Sequence, residues 1–339
     1  MYRIAIAPLE AAVVGSTRYP SLILGGLFLE AEAATRARLD MFADLGGRTI
    51  DTAPMYDDGG SEEIIGRWMA DRRATVRREE WQILSKVCHP ENGQSRVRPD
   101  VIRAEVAGSL RRMRTDYLDA VLLHRDDPGV PVSAIADTLL ELRERGTIRH
   151  FGVSNWSAER LAAFADAVAP QRPVASYQLS LAVPTGPLWP DSRHATAEVL
   201  QVILERGLCL HAWTALARGW FAGRNPDDAT GDSGRMLALF DTPANRAARD
   251  VAFAIARKRD VAPVTVALSW LLSTSMDVHA VIAPRSAEQF RQCFDAADLE
   301  LTATEWNELS QAAGVRLVPG PDAADRRSRL AACDRPVLR

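Results

Sequence analysis

RTIDTAPMY, Arg48 to Tyr56, is the stretch on which the fold of this chain turns. A β-branched run, Thr49 and Ile50, stops abruptly at Asp51, and a short loop broken by Pro54 then delivers Tyr56. An apolar strand ending in a carboxylate needs a partner for that charge, because burying an unpaired carboxylate is strongly unfavourable. The next apolar run, Ile83 to Lys86, ends in a cation that can serve, and the run after it, Tyr117 to His124, ends in an imidazole. Successive strands that each close on an ionisable residue are the pattern of a parallel α/β barrel, in which all strand C-termini share the face that carries the chemistry.

The flanking sequence keeps this rhythm. Upstream, SLILGG (21–26) reads as a buried strand and Glu30–Leu45 as a helix stopped by Gly46; GRTID is the second strand. Downstream, Ser61 reads as the cap of a helix with Glu62 and Glu63 in its first turn, where they favour the dipole. WQILSK is strand three. The helix after Pro99 places Ile102, Val106, Leu110 and Met113 on one face. YLDAVLLH is strand four, followed by a helix after Pro131 that buries Ile135, Leu139 and Leu142. IRHFGVSN, VASYQLS and LCLHAW are strands five to seven. A Gly/Asp/Pro-rich connection leads to helices at Pro243–Lys258 and Pro263–Leu272, then strand eight, VHAVIA, and helices opening near Pro284 and Thr302. A strand–helix repeat of about 25 to 40 residues predicts a single (β/α)8 TIM barrel spanning 1–313. Residues before Tyr19-Pro20 read as an N-terminal hairpin or plug, and 314–339 as a loosely ordered C-terminal extension. A doubly wound sheet is the alternative, but no GxGxxG follows the first strand.

Composition narrows the function. Nearly half the residues are apolar and a quarter charged, the balance of a soluble globular protein. A net charge of −3 without a Lys/Arg stripe argues against nucleic acid as a partner. No apolar stretch approaches the roughly 20 residues that span a bilayer. The start of the chain lacks a signal-peptide pattern, and the scattered Cys88, Cys209, Cys293 and Cys333 form no CxxC. Reduced thiols and a cytoplasmic location are expected. His89, His150, His194, His211 and His279 have no HxH or HExxH relation, so no metal is expected. Nothing in the sequence reports oligomeric state.

The residues on the rim permit a specific chemistry. A phenol is a poor acid or base at neutral pH unless tuned. The Lys86 ammonium is expected to favour the phenolate of Tyr56 and lower its pKa, with Asp51 holding Lys86 charged. His124 can hydrogen-bond the oxygen that Tyr56 protonates. Such a group suits carbonyl reduction, whose hydride must come from a nicotinamide. Arg285 and Ser286, after strand eight at a helix N-terminus, favour an anion. Ser154, Asn155 and Gln178 suit a carboxamide, and Trp213 offers a face for an aromatic ring.

The chain resembles the aldo-keto reductase family from about Ser21 to Ala313, through GGRTIDTAPMYDDGGSEEIIG, LSKV, YLDAVLLH, GTIRHFGVSN, SYQLS, HAWTALARG and VIAPRSAEQ in family order. The resemblance implies a catalytic tetrad of Asp51, Tyr56, Lys86 and His124. It implies carboxamide contacts at Ser154, Asn155 and Gln178, nicotinamide stacking on Trp213, and 2′-phosphate contacts at Arg285 and Ser286 with Gln289 nearby. Further cofactor contacts are implied at Gly25, Leu216 and Arg218, and the implied cofactor is NADPH. The chain departs from the family at Asp57, usually glycine; at Ala215, often proline; at Cys293, usually an asparagine that meets the adenine; and at Ala283, commonly glycine. Asp57 and Trp189 are candidates for the substrate pocket, and Asp57 with Asp58 suggests a sugar or other hydroxylated carbonyl. Two other readings remain open. One is a cofactor-bound regulatory or binding subunit on the same barrel. The other is a metal-dependent barrel hydrolase, against which the lack of paired histidines speaks.

Overall fold

The computed structural model describes residues 21–72, 76–315 and 317. Within them lie eight parallel strands: β1 (Leu22–Gly25), β2 (Thr49–Thr52), β3 (Gln82–Val87), β4 (Leu118–Leu123), β5 (Ile148–Ser154), β6 (Val174–Gln178), β7 (Leu210–Trp213) and β8 (Val278–Ile282). They pair in sequence order, and β8 closes on β1, so the expected barrel is present. The expected hairpin before Tyr19 and most of the extension after Gly314 lie outside the described residues.

The helices enter between strands: α1 (Glu32–Asp44), α2 (Gly60–Asp71), α3 (Pro99–Met113), α4 (Val132–Glu144), α5 (Ala158–Ala167) and α6 (Ala197–Arg206). After β7 come a 3₁₀ turn (Ala217–Ala222), α7 (Gly231–Ala238), α8 (Pro243–Arg259) and α9 (Pro263–Leu272); α10 (Ala287–Asp298) and α11 (Ala303–Ala313) follow β8. Sequence had read the α7 region only as a connection, because its glycines and aspartates mask a helix of two turns. All of α9 except Pro263 is buried, in keeping with a sequence apolar on every side.

Register partners on neighbouring parallel strands point to the same face. Asp51 pairs with Leu84, Leu84 with Ala120, Lys86 with Leu122, Ser176 with His211, and His211 with His279. These positions look into the barrel, where Leu84, Ala120, Leu122 and Val174 form a small inner apolar cluster. The alternate residues face the helices and form the main core. Gly152, on the inward set of β5, has no room for a Cβ against the Val174 carbonyl.

One local expectation fails. Gly59, with φ of 87°, is the N-cap of α2, and Ser61 lies inside the first turn, where its hydroxyl accepts from Phe28 N at 3.3 Å. Glu62 does not face the dipole in water either. It is fully buried, accepting from Ser85 Oγ and from Arg112 Nε, each at 2.7 Å. The α2–α3 packing therefore turns a capping acid into the centre of a buried polar network.

Candidate active site

Three strand ends and one turn bring four ionisable groups together. Asp51 lies near the end of β2 and Lys86 near the end of β3; their register puts both side chains inside the barrel, where Lys86 donates to the Asp51 carboxylate. His124 follows β4, and its backbone N donates to Val87 O at 2.8 Å, which extends the strand pairing to the C-terminal rim of the barrel. Tyr56 opens a short 3₁₀ turn after β2 and is half-buried. The Lys86 Nζ lies 5.1 Å from the centre of its ring, and the His124 ring meets it edge-on at 5.9 Å.

Burial sets the protonation states. It pushes the Tyr56 phenol above its usual 10.0, with the Lys86 charge opposing the rise and Asp51 adding to it. This reverses the direction expected from sequence: Lys86 acts in the expected sense, but its charge is shared with Asp51 and desolvation outweighs it. For Lys86, burial works against the ammonium, yet Asp51 and Tyr56 together lift it above its usual value. Burial first, then Lys86, Arg125 and His89, hold His124 well below the ordinary histidine range. At neutral pH the site is thus a protonated phenol, an ammonium and a neutral imidazole whose Nδ1 has no partner among the described residues.

Beside them, the polar ends of β5 and β6 form a buried cluster. Asn155 donates through Nδ2 to Ser154 Oγ (2.8 Å) and His124 O (3.2 Å), and its Oδ1 accepts from Arg193 N (2.8 Å). Ser154 Oγ donates to Ser176 O at 3.1 Å. Gln178 donates to Ser180 Oγ at 3.0 Å, which leaves its Oε1 outside this network. Asn155 therefore also positions the His124 backbone.

Trp213 ends β7 with its indole N–H buried and, among the described residues, unpartnered, and Trp189 packs against it at 5.7 Å between ring centres. Leu216, half-buried, leads into the 3₁₀ turn, where Ala217, Arg218 and Gly219 adopt left-handed φ of 47°, 56° and 90°. Arg218 lies 5.7 Å over the Trp189 ring, and its Nε is buried without a partner among the described residues. Burial, followed by the charges of Arg224 and Arg285, lowers its pKa below the usual 12.5. Arg285 is exposed; its N donates to Gln289 Oε1 at 2.8 Å, and Ser286 caps α10 by accepting from Gln289 N at 3.3 Å. Gly25 closes β1 in the inward set, where an added Cβ would stand 3.2 Å from Val281.

These features fit a dinucleotide phosphate. Converging guanidinium groups repel one another until an anion lies between them, and the orphaned Arg218 Nε has a donor to offer. Sequence reasoning missed Arg224, which sits in the glycine-rich connection and shows no motif. It also missed Arg125 and His89. Arg125 is buried beside His124, donating to its carbonyl at 2.8 Å, and the His89 ring lies 4.8 Å from that of His124. Both are neighbours of motif residues, and that adjacency was the only signal available.

The departures acquire physical meaning. Asp57 is exposed with φ of 52°, a left-handed conformation that favours glycine. Cys293 is buried among the Phe290 and Phe294 side of α10, and burial pushes its thiol up to about 12. It offers no amide where an adenine contact was implied.

An eight-stranded barrel with a Tyr–Lys–Asp–His cluster on its C-terminal rim defines a class of barrel oxidoreductases. The Aldo/keto reductase family model matches residues 22–313, and the chain belongs to this family of carbonyl-reducing oxidoreductases. It is 27% identical over 331 residues to the NADP(+) aldo-keto reductase yakc of Schizosaccharomyces pombe, covering 91% of this chain and 94% of that one. It is 28% identical to an aryl-alcohol dehydrogenase of Pestalotiopsis microspora, covering 80% and 71%. Among solved structures, an aldo/keto reductase of Klebsiella pneumoniae in complex with NADP and acetate superposes with a TM-score of 0.66, at 23% identity, over 89% and 97% of the two chains. No helix among the described residues is long and apolar enough to cross a membrane.

Proposed function

We propose that the protein is an NADPH-dependent reductase of aldehydes or ketones in which Tyr56 is the general acid. The observation that carries this reading is the half-buried Tyr56 phenol, raised in pKa and flanked by the Lys86 ammonium and a neutral His124. When bound, the reduced nicotinamide supplies the hydride that no side chain carries. Tyr56 Oη gives its proton to the carbonyl oxygen, and the Lys86 charge stabilises the phenolate left behind. Asp51 holds Lys86 in place, and the His124 imidazole orients the carbonyl by hydrogen bonding. Ser154, Asn155 and Gln178 would hold the carboxamide, Trp213 the ring, and Gly25, Leu216, Arg218, Arg285, Ser286 and Gln289 the remainder. The preference for NADPH is part of this proposal, as is action on a small carbonyl compound.

Two substrate classes compete for the same mouth. Asp57 and Asp58 are exposed beside Tyr56 and favour a hydroxylated carbonyl such as a sugar. Leu27, Leu29 and Met55 are exposed on the adjacent loops, Leu29 at 74%, with Trp189 as a further wall. They favour an apolar or aromatic carbonyl, and the matches to an aryl-alcohol dehydrogenase and to a norsolorinic acid reductase of Emericella nidulans point the same way. A panel of sugars, aliphatic and aromatic carbonyls, followed by NADPH oxidation, separates the two. Tyr56→Phe should lower kcat by about 10²-fold or more on whichever class turns over, with cofactor affinity nearly unchanged. Full activity in that variant would retire the mechanism.

A further inference from the structure

A second cluster of chemically active side chains lies at the opposite end of the barrel, where β7 and β8 begin. Cys209 immediately precedes β7, and Asp277 immediately precedes β8. Leu210 N donates to Asp277 O at 2.8 Å, and the register pairs His211 with His279. Residues 209, 211, 277 and 279 therefore share the inward face, placed by strand pairing rather than by loops. The Sγ of Cys209, a carboxylate oxygen of Asp277 and a ring nitrogen of His279 all lie within 4.8 Å of one another. His279 is buried and its Nε2 stands 3.2 Å from Asp277 Oδ1, so one nitrogen faces the point on which the other two donors converge. The sequence hides this group, because its members come from two strands almost seventy residues apart.

We propose that Cys209, Asp277 and His279 form a zinc-binding site, with a fourth position left for water. Tetrahedral zinc binds thiolate at about 2.3 Å, and imidazole and carboxylate at about 2.0–2.2 Å, which sets its donors roughly 3.3–3.7 Å apart. The widest separation the present donors can have, 4.8 Å, exceeds that by about an ångström. The donor set selects the metal: a soft thiolate with an imidazole suits zinc, whereas calcium and magnesium take oxygen ligands. His211, buried with its ring centre 5.6 Å from that of His279, packs the inner side of the site. Because the ligands lie at the starts of two adjacent strands, Cys209 just before β7 and Asp277 and His279 around the first residue of β8, the metal would clamp β7 to β8. The site is separate from the Tyr56 cluster and does not depend on the carbonyl reductase reading.

The test uses the full chain, stripped with a chelator, dialysed against Zn²⁺ and assayed for bound metal by mass spectrometry. The expected result is about one zinc per chain, and with Co²⁺ in its place a thiolate charge-transfer band with tetrahedral visible bands. Cys209→Ser and Asp277→Ala should each weaken zinc binding by at least about tenfold, the loss that even outer-shell partners cause. Cys293→Ala should retain the full complement. A thermal melt accompanies each variant, and the exposed Asp277 provides a second route if Cys209→Ser misfolds. Native protein that takes up no zinc overturns the site. Uptake and a charge-transfer band undiminished in the folded variants overturn it equally, because the metal would then sit on other residues.

Discussion

Lys86 on β3 donates to the Asp51 carboxylate on β2 inside the mouth of the barrel, and this pairing sets the ammonium 5.1 Å from the centre of the Tyr56 ring. Both partners are buried, so neither charge is tolerable without the other.

The first prediction follows from that dependence. Lys86→Met leaves Asp51 buried and unpaired, which should destabilise the protein by about 3–5 kcal/mol and remove most carbonyl reduction. Lys86→Met combined with Asp51→Leu should recover much of the stability and none of the activity. Urea unfolding beside a turnover assay separates the two effects. A single variant as stable as the parent would mean that the pair is solvated.

The second prediction concerns pH. On the proposed mechanism reduction requires the protonated phenol, and burial raises Tyr56 above its usual 10.0. The rate of reduction should stay level through neutral pH and fall only above pH 10, while alcohol oxidation, which needs the phenolate, should rise over the same range. A fall in reduction centred near neutrality would show that the lysine outweighs burial after all.

The third prediction concerns the cofactor. A charge-assisted contact from Arg285 is worth about 1.5–3 kcal/mol, so NADPH should bind at least about tenfold more tightly than NADH. Most of that ratio should vanish in Arg285→Ala. On the proposed reading, Arg218→Ala should instead weaken both cofactors together, because its buried Nε, unpaired among the described residues, is assigned to phosphate common to both. Quenching of tryptophan fluorescence reports the binding, as Trp213 and Trp189 flank the site. Equal dissociation constants in the native protein would place Arg285 away from the phosphate.

The fourth prediction tests the fold. Arg259 and the Thr302 cap hold the buried Glu305 carboxyl down to about 2, from an ordinary 4.5. A depressed carboxylate contributes stability that is full above pH 4.5 and is lost as pH falls towards 2. Its contribution at neutral pH is up to about 3 kcal/mol. Glu305→Gln should therefore lower stability at pH 7, and the gap should close on acidification, as read by chemical denaturation at both pH values.

The sequence alone determined the alternation of strands and helices, because apolar runs, prolines and glycines act locally. Asp51, Lys86 and His124 were legible for the same reason: a charged residue at the end of a buried strand is anomalous within a few residues of chain. Arg285 and Ser286 were legible as a helix start. Only the tertiary structure decided what depends on surroundings. Desolvation, which has no sequence signature, turned the expected lowering of the Tyr56 pKa into a rise. The packing of α2 on α3 took Glu62 from a helix end into a buried pair with Arg112. The closing of β7 on β8 gathered Cys209, Asp277 and His279, and the turn after β7 brought Arg218 and Arg224 towards Arg285. Electrostatic energies are set by distance and burial, and both exist only once remote parts of the chain have met.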